Sequence, residues 1–311
     1  MVLNAFITDS AYDSVYITII RSTFWCWCYF ISYCLFNRSF IDDKRYDKYT
    51  ILVTLIFVTV FVITHSFNTR STLDNEGDNV IFYSLMLLPW ITLMNNKYKK
   101  VALLALVSFC VISSLKRSSL VILVISLLLI IYYDFFYKTR INKSTILLII
   151  LAVISIYTVY HFASDRFDVI SERMAAIEED GGSGRDLIFE DVYNRFNDKG
   201  IQDQILGSGF DAVRVQSKYS IALSAHNDFL EVIYDFGIMG FIFYILVHLS
   251  LIKWTFVLYK KNNRLFLSVL ISYLCFLFMS LVSHLVLYPT YFGFLTSFWA
   301  YAFCKYRQVI S

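Results

Sequence analysis

Long apolar runs separated by short polar connectors make up most of the chain. Runs close to the about 17–25 residues needed to cross a ~30 Å hydrocarbon core lie at 15–36, 50–67, 79–94, 100–115, 119–137, 144–162, 237–259, 265–283 and 289–304. Each predicts a transmembrane helix. One such segment could be the core of a soluble domain, but so many cannot be buried together away from lipid. The pattern breaks once, at the polar stretch 163–226. The expected fold is therefore an all-α polytopic membrane protein of about nine transmembrane helices, with one large extracytoplasmic loop between helices six and seven. Residues 1–162 hold the first six helices, 163–226 the loop with its short helices, and 227–311 the last three.

Composition agrees: 58% of residues are hydrophobic and 16% charged, against about 45–50% and about 25% in soluble domains. Basic residues then set the orientation. They gather in alternate connectors: Arg38, Lys44, Arg45 and Lys48; Lys97, Lys99 and Lys100; Lys138, Arg140 and Lys143; Lys260, Lys261 and Arg264; and Lys305 with Arg307. The positive-inside rule puts these in the cytoplasm, and so places 1–14, 68–78, 116–118, 163–226 and 284–288 outside. The first 14 residues lack Lys and Arg, in keeping with an outside start. Lys116-Arg117 is the exception, a basic pair on the outer side. No cleavable signal peptide is evident. The six cysteines lie in apolar stretches and read as free thiols acting as small hydrophobes; Cys26-x-Cys28 lacks a flanking His or carboxylate to make it a metal site. The net charge of +3 follows from the inside loops and gives no reason to expect nucleic acid.

Half of the acidic residues fall within 163–226. A loop of this length is a functional element or disordered, and its patterning favours order. Leu187, Ile188, Val192, Tyr193 and Phe196 recur at helical spacing after Gly181-Gly182-Ser183-Gly184, and Gly207-Ser208-Gly209 makes a second break. The loop closes at Ala225-His226-Asn227-Asp228, where Asn227 is a good N-cap for the helix that follows.

Three outer-side clusters could carry chemistry. Lys116-Arg117 is either a hairpin whose cations reach lipid headgroups or an anion site, since the planar guanidinium can grip phosphate with two parallel hydrogen bonds. Gly181 to Arg185 is either a hinge or a helix start whose free amides favour an anion. His226 is either an interfacial anchor or a catalyst. Asp228, Glu231 and Asp235 share one helix face, which could simply be solvated.

In order along the chain, Lys116-Arg117, Ser183-Gly184-Arg185, Gly207-Ser208-Gly209-Phe210 and His226-Asn227-Asp228-Phe229-Leu230 with Gly237 and Gly240 resemble the O-antigen polymerase and O-antigen ligase superfamily of bacterial inner-membrane proteins. The resemblance covers about 100–260 and is most specific from Ala225 to Gly240. Two features depart from the family pattern: members usually have ten to twelve helices and start in the cytoplasm, which makes this a short or N-terminally truncated member; and Ala225 stands where some ligases carry Arg, which disfavours ligase. The resemblance implies a multi-pass protein of the bacterial cytoplasmic membrane with an outward-facing site. The activity it implies is polymerisation of undecaprenyl-pyrophosphate-linked oligosaccharide repeat units into surface polysaccharide. Ligation of the glycan to lipid A core is the alternative within the class, and non-catalytic transport of the lipid-linked oligosaccharide the alternative outside it.

In this reading the leaving pyrophosphate needs preorganised cations, supplied by Arg117 and Arg185 with help from Lys116 and Arg214. The acceptor hydroxyl needs a base near neutral pH, for which imidazole is suited. His226 fills that role, Asp228 or Glu231 orients it, and Asn227 joins them at the substrate. No cofactor is expected, and no tight Asp-x-Asp metal pair appears in the loop, which agrees with metal-independent transfer. The partners expected are the lipid-linked donor and acceptor, membrane lipid, and a flippase and chain-length regulator.

Overall fold

A computed structural model describes residues 15–38, 42–68, 81–114, 117–138, 146–147, 149–150, 152–154, 157, 185–216, 224–261, 263–283 and 285–310. The protein is all-helical, with no strand among the described residues. In chain order the helices are α1 Val15–Arg38, α2 Asp43–Asn68, α3 Ile81–Met86, α4 Leu88–Thr92, α5 Lys97–Ser114, α6 Arg117–Lys138, α7 Arg185–Asn197, α8 Ile201–Leu206, α9 Ala212–Val215, α10 Asp228–Lys260, α11 Phe266–Val282 and α12 Pro289–Ile310. Three stretches are long and apolar enough to cross a membrane by length and composition: Ile19–Arg38, Lys44–Thr64 and Asp228–Lys260. Ile81–Thr92, Ser118–Tyr133 and Phe266–Val282 are shorter apolar helices. In lipid the backbone must satisfy its own hydrogen bonds, which is why apolar segments of this kind settle as helices.

The run 79–94, read from sequence as one helix, is two. Leu87 separates α3 from α4, and Pro89 sits in the first turn of α4. Proline lacks the N–H that would continue the ladder and its ring crowds the carbonyl four residues back, so the helix restarts there.

The chain divides into two compact units. The first is Met1–Tyr29, Ser164–Lys253 and Phe276–Thr296; the second is Phe30–Ala163, Trp254–Cys275 and Ser297–Ser311. In the second unit α2 to α6 pack on one another. Leu103, Leu104, Val107, Cys110 and Val111 form the buried stripe of α5, while Phe109 on its other side is exposed. Apolar side chains on both faces are what a lipid-facing helix carries. Tyr46 donates its hydroxyl to the Trp90 carbonyl at 2.7 Å and stacks on Tyr301 with ring centres 5.0 Å apart.

In the first unit α1 meets α12: Trp25 stacks on Phe292 at 4.8 Å and Thr296 Oγ1 donates to the Trp25 carbonyl at 2.9 Å. The polar segment does contain short helices, α7 to α9. Ile188 and Val192 of α7 pack with Ala212, Val213, Ala225 and Tyr234. The apolar stripe of α7 is narrower than its spacing predicts, because Leu187 and Tyr193 are exposed. Local spacing cannot tell which side of a short helix a neighbour will cover, and here the neighbour covers only the Ile188–Val192 side.

Candidate functional site

The site is built where the polar segment runs into α10. Asn227 Oδ1 accepts the amides of Phe229 at 2.9 Å and Leu230 at 3.3 Å, which makes it the N-cap its position predicts. Nine residues into the helix, Gly237 adopts φ 67° and ψ −171°, and the regular ladder breaks. The carbonyls of Tyr234 and Asp235 are taken instead by the amides of Ser208 at 3.0 Å and Gly209 at 2.9 Å. A Cβ on Gly207, itself at φ 83°, would stand 2.3 Å from the Asp235 oxygen; one on Gly237 would stand 2.3 Å from the Ile205 oxygen. Two backbones therefore cross in contact, and only glycine fits at either position.

The three carboxylates on the first turns of α10 are not on a solvated face, which corrects that reading of the sequence: Asp228, Glu231 and Asp235 are each no more than 1% exposed. Burying a carboxylate is costly unless donors meet it, and here backbone amides do. Asp228 accepts Leu285 N at 3.0 Å, Val286 N at 3.2 Å and the Tyr244 hydroxyl at 3.2 Å. Glu231 Oε1 accepts Ala225 N at 2.6 Å. Asp235 accepts Asp211 N at 2.7 Å, Ala212 N at 3.0 Å and Val213 N at 3.3 Å, capping α9. Asp228 and Glu231 also lie in the first turn of α10, where the positive end of the helix dipole favours anions.

His226 is half-buried and holds φ 51°, a left-handed conformation uncommon for a residue with a Cβ, though His and Asp enter it more readily than most. Asp211 does the same at φ 65°. Its carboxylate binds Arg214 through Nε at 2.9 Å and Nη2 at 2.5 Å, and both side chains act electrostatically on Glu231. The structure thus gathers His226, Asn227, Asp228, Glu231 and Arg214 at one junction. Arg185 is the first residue of α7 and Arg117 the first of α6, in the second unit; their side chains, Lys116 and Gly181 to Gly184 lie outside the described residues.

Sequence reasoning left out the residues that tie α7 to α10. Arg195 pairs with Asp191 at 2.8 Å and donates to the Tyr234 hydroxyl at 3.1 Å; Tyr234 in turn donates to Gln216 Oε1 at 2.7 Å. The Lys199 ammonium lies 3.0 Å from the centre of the Tyr234 ring and bonds Ser208. Burial pushes its pKa down to about 8, against the pull of Asp235. The signal available was Tyr234 and Asp235 just ahead of the Gly237 break. Beside the junction lies a cavity of about 210 Å³, lined by Trp25, Val232, Phe243, Tyr244 and Phe292 among others. Among the described residues no set of His, Cys, Asp and Glu comes together that could hold a metal ion.

These features define an all-helical membrane protein with a polar site where a long connector meets a broken helix. Residues 102–245, just under half of the chain, match the family described as O-antigen ligase, and this match supports placing the protein in the O-antigen polymerase and ligase superfamily. Its members are glycosyltransferase-like enzymes of polymerase or ligase type. No curated protein matches the chain. The matched segment runs from α5 into α10 and includes the whole junction.

Proposed function

We propose that the protein polymerises undecaprenyl-pyrophosphate-linked oligosaccharide repeat units at the outer face of the bacterial cytoplasmic membrane, with His226 as general base. The observation that carries this reading is the left-handed His226 at the head of α10, inside the family segment and fixed from both sides by Glu231 and Asn227. A strained residue held by several contacts is a mark of a functional position. In the reaction the acceptor hydroxyl oxygen bonds to the anomeric carbon of the donor glycan. Its proton passes to the imidazole of His226, and the bond from that carbon to the pyrophosphate breaks, the electron pair leaving with the lipid pyrophosphate. Cations stabilise the charge that develops there. Arg214, whose direction is set by Asp211, and Arg185 at the start of α7 are the candidates in the first unit. Lys116 and Arg117 carry over as phosphate-binding residues from the sequence resemblance alone. The apolar cavity beside Tyr244 suits a short stretch of the polyprenyl chain. Asp228 is committed to the 285–286 segment, so it supports the junction and leaves the imidazole to others.

A second reading within the class is ligation, in which the same chemistry delivers the glycan to lipid A core; the description of the matching family favours it. One assay addresses both. Purified protein in proteoliposomes is given the undecaprenyl-linked repeat unit isolated from cells that lack this chain, with and without lipid A core. A ladder of lengths without core supports the polymerase, and product only with core supports the ligase. His226→Gln should lower turnover about 10²–10⁴-fold, the usual contribution of a positioned base. A Gln variant that works near the wild-type rate makes His226 an anchor and removes the base assignment.

A further inference from the structure

The carboxylates of α10 form a ladder in which each rung holds a different chain segment by its backbone: Asp228 holds 285–286, Glu231 holds 225, and Asp235 holds 211–213. Glu231 is the rung next to His226. Its bond to Ala225 N, at 2.6 Å, is short even for a charge-assisted contact, and Ala225 is fully buried against Val192, Val213 and Tyr234. On the other side of His226, Asn227 is fixed by capping α10 and reaches the Leu281 carbonyl at 3.4 Å. The His226 backbone amide also hydrogen-bonds Glu231, so one carboxylate holds Ala225 and His226 together, and the left-handed turn joins that hold to the Asn227 cap.

We propose that Glu231 is a positioning residue: by holding the backbone amides of Ala225 and His226 it imposes the left-handed conformation of His226 and so aims the imidazole at the acceptor. It acts through the backbone, not by taking a proton from the ring. The inference deepens the reading of His226 as base and rests on it.

Two variants separate reach from charge. Glu231→Gln keeps an acceptor oxygen at the same distance but no charge. Glu231→Asp keeps the charge but is one methylene too short to meet Ala225 N. Positioning through the backbone expects Glu231→Gln to stay within a few-fold of the wild-type kcat. It expects Glu231→Asp to fall about 10²-fold, the order that a misplacement of about 1 Å costs, with KM for the lipid-linked donor little changed. The reverse ranking would mean that charge matters and would overturn the proposal. In a His226→Gln background Glu231→Asp should cost nothing further, since residues acting as one unit are not additive; a full additional loss also overturns it. Residue-resolved hydrogen exchange reads the anchor without catalysis. The Ala225 amide should be strongly protected in wild type and in Glu231→Gln and lose protection in Glu231→Asp. Fast exchange of that amide in the wild type sinks the proposal without any variant. If His226→Gln proves fully active while the exchange pattern holds, the base assignment fails and the anchor stands.

Discussion

Two corners of the molecule use the same device for different ends. In the second unit Asp47 of α2 accepts the amides of Asn95 and Asn96, both at 3.2 Å, just before α5 begins. In the first, Asp235 of α10 accepts three amides at the head of α9. Both are carboxylates supplied from a distant helix to backbone N–H groups at the approach to another helix, Asp47 to the two residues just ahead of α5 and Asp235 to the first amides of α9. Around Asp47 cations complete the corner: Lys100 donates to the Thr92 carbonyl at 2.6 Å and Arg264 to the Leu93 carbonyl at 3.3 Å. Around Asp235 the clasped chain is bent into unusual shapes. All positive-φ residues among those described, Gly207, Gly209, Asp211, His226 and Gly237, lie at this junction. The first corner joins helices through ordinary backbone conformations. The second spends its hydrogen bonds on holding a conformation the chain would otherwise leave, as functional sites tend to do.

The sharpest way to break the comparison is at the glycine crossing. Gly237→Ala places a Cβ 2.3 Å from one backbone oxygen and 2.6 Å from the Gly207 nitrogen, at a positive φ. Collision and strain together should cost more than about 3 kcal/mol, seen as a large drop in thermal unfolding temperature of the purified protein. Gly200, with nothing within 4 Å of its would-be Cβ, is the control, and Gly200→Ala should stay within about 0.5 kcal/mol.

A paired substitution comes next in size. Asp235→Asn replaces an acceptor with a donor among three amides and should cost about 2–3 kcal/mol, with loss of polymer in a gel assay of chain length. Asp47→Asn meets only two longer bonds and should cost about 1 kcal/mol with chain length unchanged. Equal effects on polymer would dissolve the distinction between the two corners.

The smallest effect is a pH dependence. Lys199 releases its proton near pH 8 in the folded protein and near 10.4 when unfolded. Below about pH 8 it is charged in both states and the cost of its burial is fully present. Between those values the unfolded state binds more protons, so stability rises with pH. Chemical unfolding at pH 7.5 and pH 9.5 should show that rise in the wild type, and Lys199→Met should reduce it.

The amino-acid order by itself marked where most of the helices fall, although 79–94 is two helices and most of the run 144–162 lies outside the described residues. Apolar runs become helices because lipid offers the backbone no other partners; Asn227 before Asp228 announces a cap, and Gly207-Ser208-Gly209 announces a break in the polar segment. It did not disclose that Asp228, Glu231 and Asp235 are buried, or what they hold. Helical period and hydropathy are local, and on that scale three acids on one face look solvated. Only the tertiary structure brings the amides of 211–213, 225 and 285–286 to them and forces His226 and Asp211 into left-handed turns. The reason is chemical: the partners are backbone N–H groups, which every residue but proline carries alike, so nothing in the side chains marks them in advance.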